Sequence, residues 1–226
     1  MKPEYWDRAK RALRRTDPVM GGTIGRYPRA PMVARGDAFL TLARAIAGQQ
    51  ISVKAAQSVW NRVVTLVVEM TPEHVLAQQR PSLRACGLSD RKVEYIADLA
   101  RHFADGNVHV ARWPQMGDEE VIAELVQVRG IGRWTVEMLL IFRLGRPDVL
   151  PVDDFGVRRG YALAARRAEA PTAAALAAAV ALPNGKKRSR AAGTPSTTKR
   201  LRLSTAAHAD PRFLFFLAGV LPVCVI

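Results

Sequence analysis

At 226 residues the chain has room for one domain, or a small bilobal one, with an ample hydrophobic core. A formal net charge of +14 and a pI of about 10.8 point to a polyanionic partner. Two cysteines, Cys86 and Cys224, exclude a disulfide framework and a four-cysteine iron–sulfur cluster, and no His/Cys/Asp spacing suits zinc.

Glu4 to Arg14 reads as an amphipathic helix with Tyr5, Trp6 and Leu13 on its apolar side. Met1 to Arg15 is charged throughout, unlike a signal peptide, so the expected location is intracellular. That means cytoplasmic, on the nucleoid of a bacterium or in the nucleus of a eukaryote. Asp17 to Arg35 is rich in Gly and Pro and reads as loop. Asp37 then suits an N-cap, with Phe39, Leu40, Leu42, Ala43 and Ile46 following at helical spacing. Gly48-Gln49-Gln50-Ile51-Ser52 interrupts this helix, and Ser52 can cap a longer one to about Val68. Thr71-Pro72 opens a short helix, and Pro81 opens another that ends at a left-handed Gly87. Ser89 caps Asp90 to Phe103, whose Val93, Ile96, Ala97 and Leu99 share a face; Gly106 follows. Arg91 and Lys92 near its start suit either a phosphate or a solvated face. Asp118 is expected to cap an apolar helix from Glu119 to Gln127. No stretch alternates convincingly, so the fold class is all-α.

The organising stretch runs from Val128 to Gly160. Val128-Arg129-Gly130-Ile131-Gly132-Arg133-Trp134-Thr135 is a hairpin between two helices, with Thr135 to Leu144 leading out. Two glycines around one apolar residue can turn tightly, with positive φ where needed, and present bare backbone N–H groups. Those amides sit at a helix start, where they and the dipole favour an anion such as a DNA phosphate. Further on, Pro151-Val152-Asp153-Asp154 places two carboxylates ahead of another helical run, in which Tyr161 to Arg167 continues. By spacing alone either Asp reads as a helix N-cap.

Helix, hairpin Φ-x-G-Φ-G-x-x-T, apolar helix and acidic pair together resemble the helix-hairpin-helix DNA glycosylases, within them the DNA-3-methyladenine glycosylase II group. The resemblance also covers Tyr5 to Leu13, Ala34 to Trp60 and Ala85 to Ala100, so that it runs from about residue 4 to about residue 165. It implies a bilobal all-α domain over residues 1–182 that binds duplex DNA containing damaged bases, as a monomer and without a membrane. The implied activity is monofunctional hydrolysis of the N-glycosidic bond of alkylated purines, 3-methyladenine above all. Such a target must leave the helix before its bond can be reached.

The resemblance also distributes roles. Asp154 becomes the catalytic carboxylate that stabilises an oxocarbenium-like sugar and orients water, and Asp153 a cap or support. Gly130, Ile131, Gly132, Arg133 and Thr135 become the DNA-binding hairpin. Gln49 and Gln50, ordinary loop amides on their own, fall where the family places the residue that fills the gap left by an extruded nucleotide; Gln50 is the candidate. Bifunctional members carry a Schiff-base lysine at the position of Trp134, and an indole cannot form that adduct, so no lyase activity is expected. Trp134 is either a core residue or a face for a cationic alkylated base, with Met138 one turn on lining the same side. No cofactor is required; a monovalent cation (Na or K) held by backbone carbonyls of Val128 and Gly130 is implied by resemblance alone. A DNA-binding protein without catalysis is the rival from another class. A glycosylase for oxidised or deaminated bases is disfavoured by Trp134 and by the cysteine count.

After Gly160 the pattern weakens, with an alanine-rich helix from Thr172 to Leu182. Residues 183–212 form a polar, basic, low-complexity linker expected to be disordered, and residues 213–226 an apolar tail. Residues 183–226 carry eight Lys/Arg and one Asp, half of the net charge; KKRSR can also read as a nuclear-import signal. Fourteen residues interrupted by Pro222 are too short to span a bilayer. The family's closing helix, with its Trp-x-Pro-x-Arg-Ser motif and aromatics, has no match here. Either the family C-terminus is replaced near Leu182, or the tail is a basic DNA-binding extension.

Overall fold

In the computed structural model, residues 3–16, 18–26, 36–165 and 167–180 are described, and every regular element among them is helical. In chain order these are α1 (Trp6–Thr16), α2 (Pro18–Arg26), α3 (Ala38–Gly48), α4 (Val53–Val67), α5 (Pro72–Leu76) and α6 (Arg80–Ala85). They continue with α7 (Asp90–Ala104), a 3-10 turn at Val110–Arg112, α8 (Asp118–Leu125), α9 (Arg133–Phe142), α10 (Phe155–Ala164) and α11 (Ala173–Val180). The described residues divide into two compact units, 36–149 and 3–26 with 150–180.

Local chemistry accounts for most helix starts in the first unit. Side chains of Asp37, Ser52, Thr71 and Ser89 accept from the N–H of Leu40, Ala55, His74 and Lys92, opening α3, α4, α5 and α7. α8 differs: its N-cap is Gly117, and Asp118 is the first helical residue. The Glu120 carboxylate accepts from the Gly117 N–H and so takes the capping work from Asp118, whose carboxylate pairs instead with Arg146 at 3.5 Å.

α3 is apolar nearly all round, so it is buried all round: Phe39, Leu42 and Ile46 lie in the centre of the core. α7 packs against it, with Val93, Ile96 and Leu99 inward and Phe103 meeting Phe39 edge-on at 5.3 Å. The segment after α7 is pinned rather than loose. Glu124 on α8 accepts from the Trp113 ring N–H at 2.7 Å and from the His109 N–H at 3.0 Å, while Arg146 donates to the carbonyls of Trp113 and Met116. Trp113 is fully buried, and its loss to alanine would cost about 3–5 kcal/mol.

The second unit holds α1, α2, α10 and α11. Here the loop expected over Asp17 to Arg35 is corrected, because α2 occupies Pro18–Arg26. Proline is tolerated at a first helical position, and burial of Ile24 outweighs the poor propensity of Gly21, Gly22 and Gly25. Gly21 also has a packing reason, since a Cβ there would lie 3.2 Å from the Arg14 carbonyl of α1. The linker and apolar tail over residues 183–226 lie outside the described residues.

Candidate functional site

The hairpin between α8 and α9 is anchored by its apolar residues. Val128 and Ile131 are buried in the core, and the Ile131 N–H donates to the Val128 carbonyl at 3.1 Å. Gly130 has φ +82, and a Cβ there would overlap the Tyr95 ring of α7. Gly132 is different. Its φ of −94 and ψ of 167 are ordinary extended backbone, and a Cβ would meet nothing within 4 Å. It N-caps α9 without a side chain to offer, and the acceptor it supplies to the first turn is its carbonyl, which takes the Thr135 N–H at 3.0 Å. The positive φ expected of the glycine pair thus falls on Gly130 alone.

Three of the expected DNA-facing side chains are committed within the protein. Ile131 and Thr135 are buried. The Arg133 guanidinium donates to Glu119 through Nη1 at 2.9 Å and to Glu137 through Nε at 3.1 Å. The hydrogen bonds to Glu119 hold Arg133 above its ordinary range, and Arg133 in turn holds the Glu119 carboxyl below its own. What Gly130, Ile131, Gly132, Arg133 and Thr135 have to offer a phosphate is therefore backbone, beside the exposed side chain of Arg129.

The turn between α3 and α4 lies in the same unit. Gln49 is the C-cap of α3, and its Nε2 donates to the Gly130 carbonyl at 2.9 Å, across 81 residues of sequence. Gln50 is exposed with φ +59, a left-handed conformation that a non-glycine residue adopts only under constraint. Lys92, read from sequence as phosphate-facing or solvated, is neither: its Nζ donates to the Ala47 carbonyl at 2.9 Å, and burial lowers its pKa. On α9, Trp134 is half-buried and Met138 is 1% exposed, one helical turn on.

The acidic pair belongs to the other unit. Asp153 is exposed, and Asp154 is only 9% exposed. Asp154 N-caps α10, its Oδ1 accepting from the Val157 N–H at 2.8 Å. By spacing either Asp could be the N-cap, and the resemblance made Asp153 a cap or support; the structure gives the cap to Asp154, whose carboxylate is thereby fixed in direction. Gly156 leaves room for it, since a Cβ there would lie 2.9 Å from Oδ1. Sequence reasoning also passed over Phe155, which is 65% exposed beside Asp154 with the Arg158 guanidinium 6.0 Å from its ring centre. An apolar residue at the first position of a capped helix was the available signal.

Residues 43–181 match the HhH-GPD superfamily base excision DNA repair protein family. The chain belongs to this superfamily. It is 37% identical over 153 residues to DNA-3-methyladenine glycosylase 1 of Schizosaccharomyces pombe, covering 66% of this chain and 67% of that protein. It is 37% identical over 135 residues to the DNA-3-methyladenine glycosylase of Saccharomyces cerevisiae, covering 55% of this chain and 46% of that one, so it spans about half of that relative's length. The solved structure of the S. pombe 3-methyladenine DNA glycosylase in complex with abasic DNA superimposes with a TM-score of 0.65 and 32% identity, over 74% of this chain and 84% of that one.

Proposed function

We propose that this HhH-GPD protein is a monofunctional DNA glycosylase that releases alkylated purines, 3-methyladenine above all, from duplex DNA. One observation carries the reading: the hairpin, Trp134 and the acidic pair all lie in a chain related over most of its described length to 3-methyladenine glycosylases. The bare Gly132 edge and the start of α9 hold a phosphate through backbone N–H groups. Gln50 fills the space left by the extruded nucleotide. Trp134 offers an aromatic face to the cationic base, and Met138, buried one turn on, supports that side only from beneath. An N-alkylated purine already carries positive charge, so it leaves without a general acid. Asp154, fixed by its own cap bond, stabilises the oxocarbenium character of the sugar and orients the attacking water.

A monovalent cation would be held by the carbonyls of Val128 and Gly130. Each already accepts one hydrogen bond, from the Ile131 N–H and from Gln49 Nε2, and keeps one lone pair for ligation. Its part would be electrostatic support of the phosphate. The protein acts as a monomer, away from membranes, in the cytoplasm or wherever the chromosome is held.

The test is base release from methylated duplex DNA, run with borohydride trapping on an abasic duplex. Release of 3-methyladenine without a covalent adduct is expected. Duplex binding without release would sink the enzymatic reading in favour of a DNA-binding protein. A trapped adduct would overturn the monofunctional one and implicate a lysine such as Lys54.

A further inference from the structure

Lys92, Tyr95 and Asp98 are spaced three residues apart on α7, and each holds a different piece of the proposed DNA-facing edge. Lys92 donates to the Ala47 carbonyl at the end of α3. The Tyr95 ring backs Gly130 where a Cβ would otherwise sit. Asp98 accepts from the Arg129 N–H at 2.9 Å, at the entry to the hairpin. The remaining side of this frame is closed by Gln49, whose Nε2 reaches from the α3 turn to the Gly130 carbonyl. Gln50 is the next residue, and its left-handed backbone persists only where the surroundings over-determine it. Bonds at Gln49 N–H to Ile46, at Gln49 Nε2 to Gly130 and at Lys92 to Ala47 all fall within four residues of it.

We infer that Gln49 is a positioning residue and not a DNA contact: its bond to the Gly130 carbonyl registers the Gln50 turn against the hairpin. Phosphate grip and insertion of Gln50 then act as one unit, a statement that rests on the DNA roles given under Proposed function. The side-chain amide is turned toward the protein's own backbone, so its effect on DNA passes through its neighbours. Losing the bond frees the turn to relax from its left-handed conformation while leaving the hairpin's own anchors, Val128 and Ile131, in the core.

The experiment uses the full chain with Gln49→Met, which keeps length and volume but removes the donor, and Gln49→Glu, which sets an acceptor against the Gly130 carbonyl. Backbone amide exchange in the free protein should quicken in both residues 49–52 and residues 130–133, with the melting temperature nearly unchanged. Single-turnover release of methylated purine at saturating protein should fall about five- to tenfold in Gln49→Met and further in Gln49→Glu. Affinity for an undamaged duplex should change by less than about twofold, with the salt dependence intact. In a Gln50→Ala background, Gln49→Met should bring no further fall in rate. Unchanged exchange, a weakened affinity with a shallower salt dependence, or rate losses that multiply in the Gln50→Ala background would each overturn the proposal. If the unaltered protein releases no alkylated base, the proposed function fails, and amide exchange alone still decides whether Gln49 ties the two segments.

Discussion

Helices α9 and α10 both satisfy part of their first turn through the cap residue, yet their caps differ in kind: the Thr135 N–H donates to the Gly132 carbonyl, and the Val157 N–H to the Asp154 carboxylate. α9 is capped by Gly132, with no side chain and open space around its Cα. α10 is capped by Asp154, which brings its own buried carboxylate to the dipole. A bare cap brings no charge of its own, so on the proposed reading the positive helix end is open to a DNA phosphate. A carboxylate cap satisfies part of that end internally and fixes the carboxylate in one direction, which on the proposed reading faces it to a developing cation. On the proposed reading, the same device would serve once to bind an anion and once to display one.

Asp154→Asn should break the second half of this contrast most severely. Asparagine caps a helix as well as aspartate does, so α10 and the melting temperature should survive. Loss of the charge should lower single-turnover base release by on the order of 10²-fold or more, with duplex affinity kept or raised. Asp153→Asn, at an exposed position, should change release by no more than about twofold. The reverse order would move the chemistry to Asp153.

The glycine pair sharpens the first half. Gly130→Ala forces a Cβ into the Tyr95 ring at φ +82, so denaturant unfolding should report a loss of roughly 2–4 kcal/mol. Gly132→Val should leave stability within about 0.5 kcal/mol, because φ −94 and ψ 167 suit a β-branched residue and nothing crowds it. It should instead weaken binding to any duplex by about tenfold, since phosphate contacts carry no base information. Binding by Gly132→Val equal to that of the unaltered protein would make the bare cap a connector only.

The smallest expected effect concerns the hairpin's anchor on α7. Burial pushes the Asp98 carboxyl up, but the Arg129 N–H, Arg101 and His102 together hold it below its ordinary range. A depressed carboxylate contributes stability above its unfolded pKa and loses it as pH falls through the folded value. Asp98→Asn should therefore be less stable than the unaltered protein by about 1 kcal/mol at neutral pH. The gap should close in acid below about pH 4. A gap independent of pH would show that Asp98 anchors the hairpin by shape and not by charge.

The helix starts at Asp37, Ser52, Thr71 and Ser89 were legible because a cap bond joins residues only three apart. The hairpin was legible as well, from two glycines, one apolar residue and the helices around them. α2 was not, because Pro18 and three glycines speak against a helix locally and only burial of Ile24 and the close approach of Gly21 to α1 speak for it. The cap of α8 was misplaced by one residue because Glu120, not Asp118, reaches the unpaired N–H.

Within the site, sequence alone determined which residues were chemically able to act: a carboxylate pair, a tryptophan with no amine, and glycines at a helix entrance. Tertiary structure decided which of them are available. It buried Ile131 and Thr135, paired Arg133 with Glu119 and Glu137, and split the two glycines between a packing role and an open edge. It also joined Gln49 to Gly130 across 81 residues and Lys92 to Ala47 across 45. The physical reason is range. Capping and periodicity act within a turn or two of helix, whereas these contacts form only once α3, α7 and the hairpin have packed around a common core.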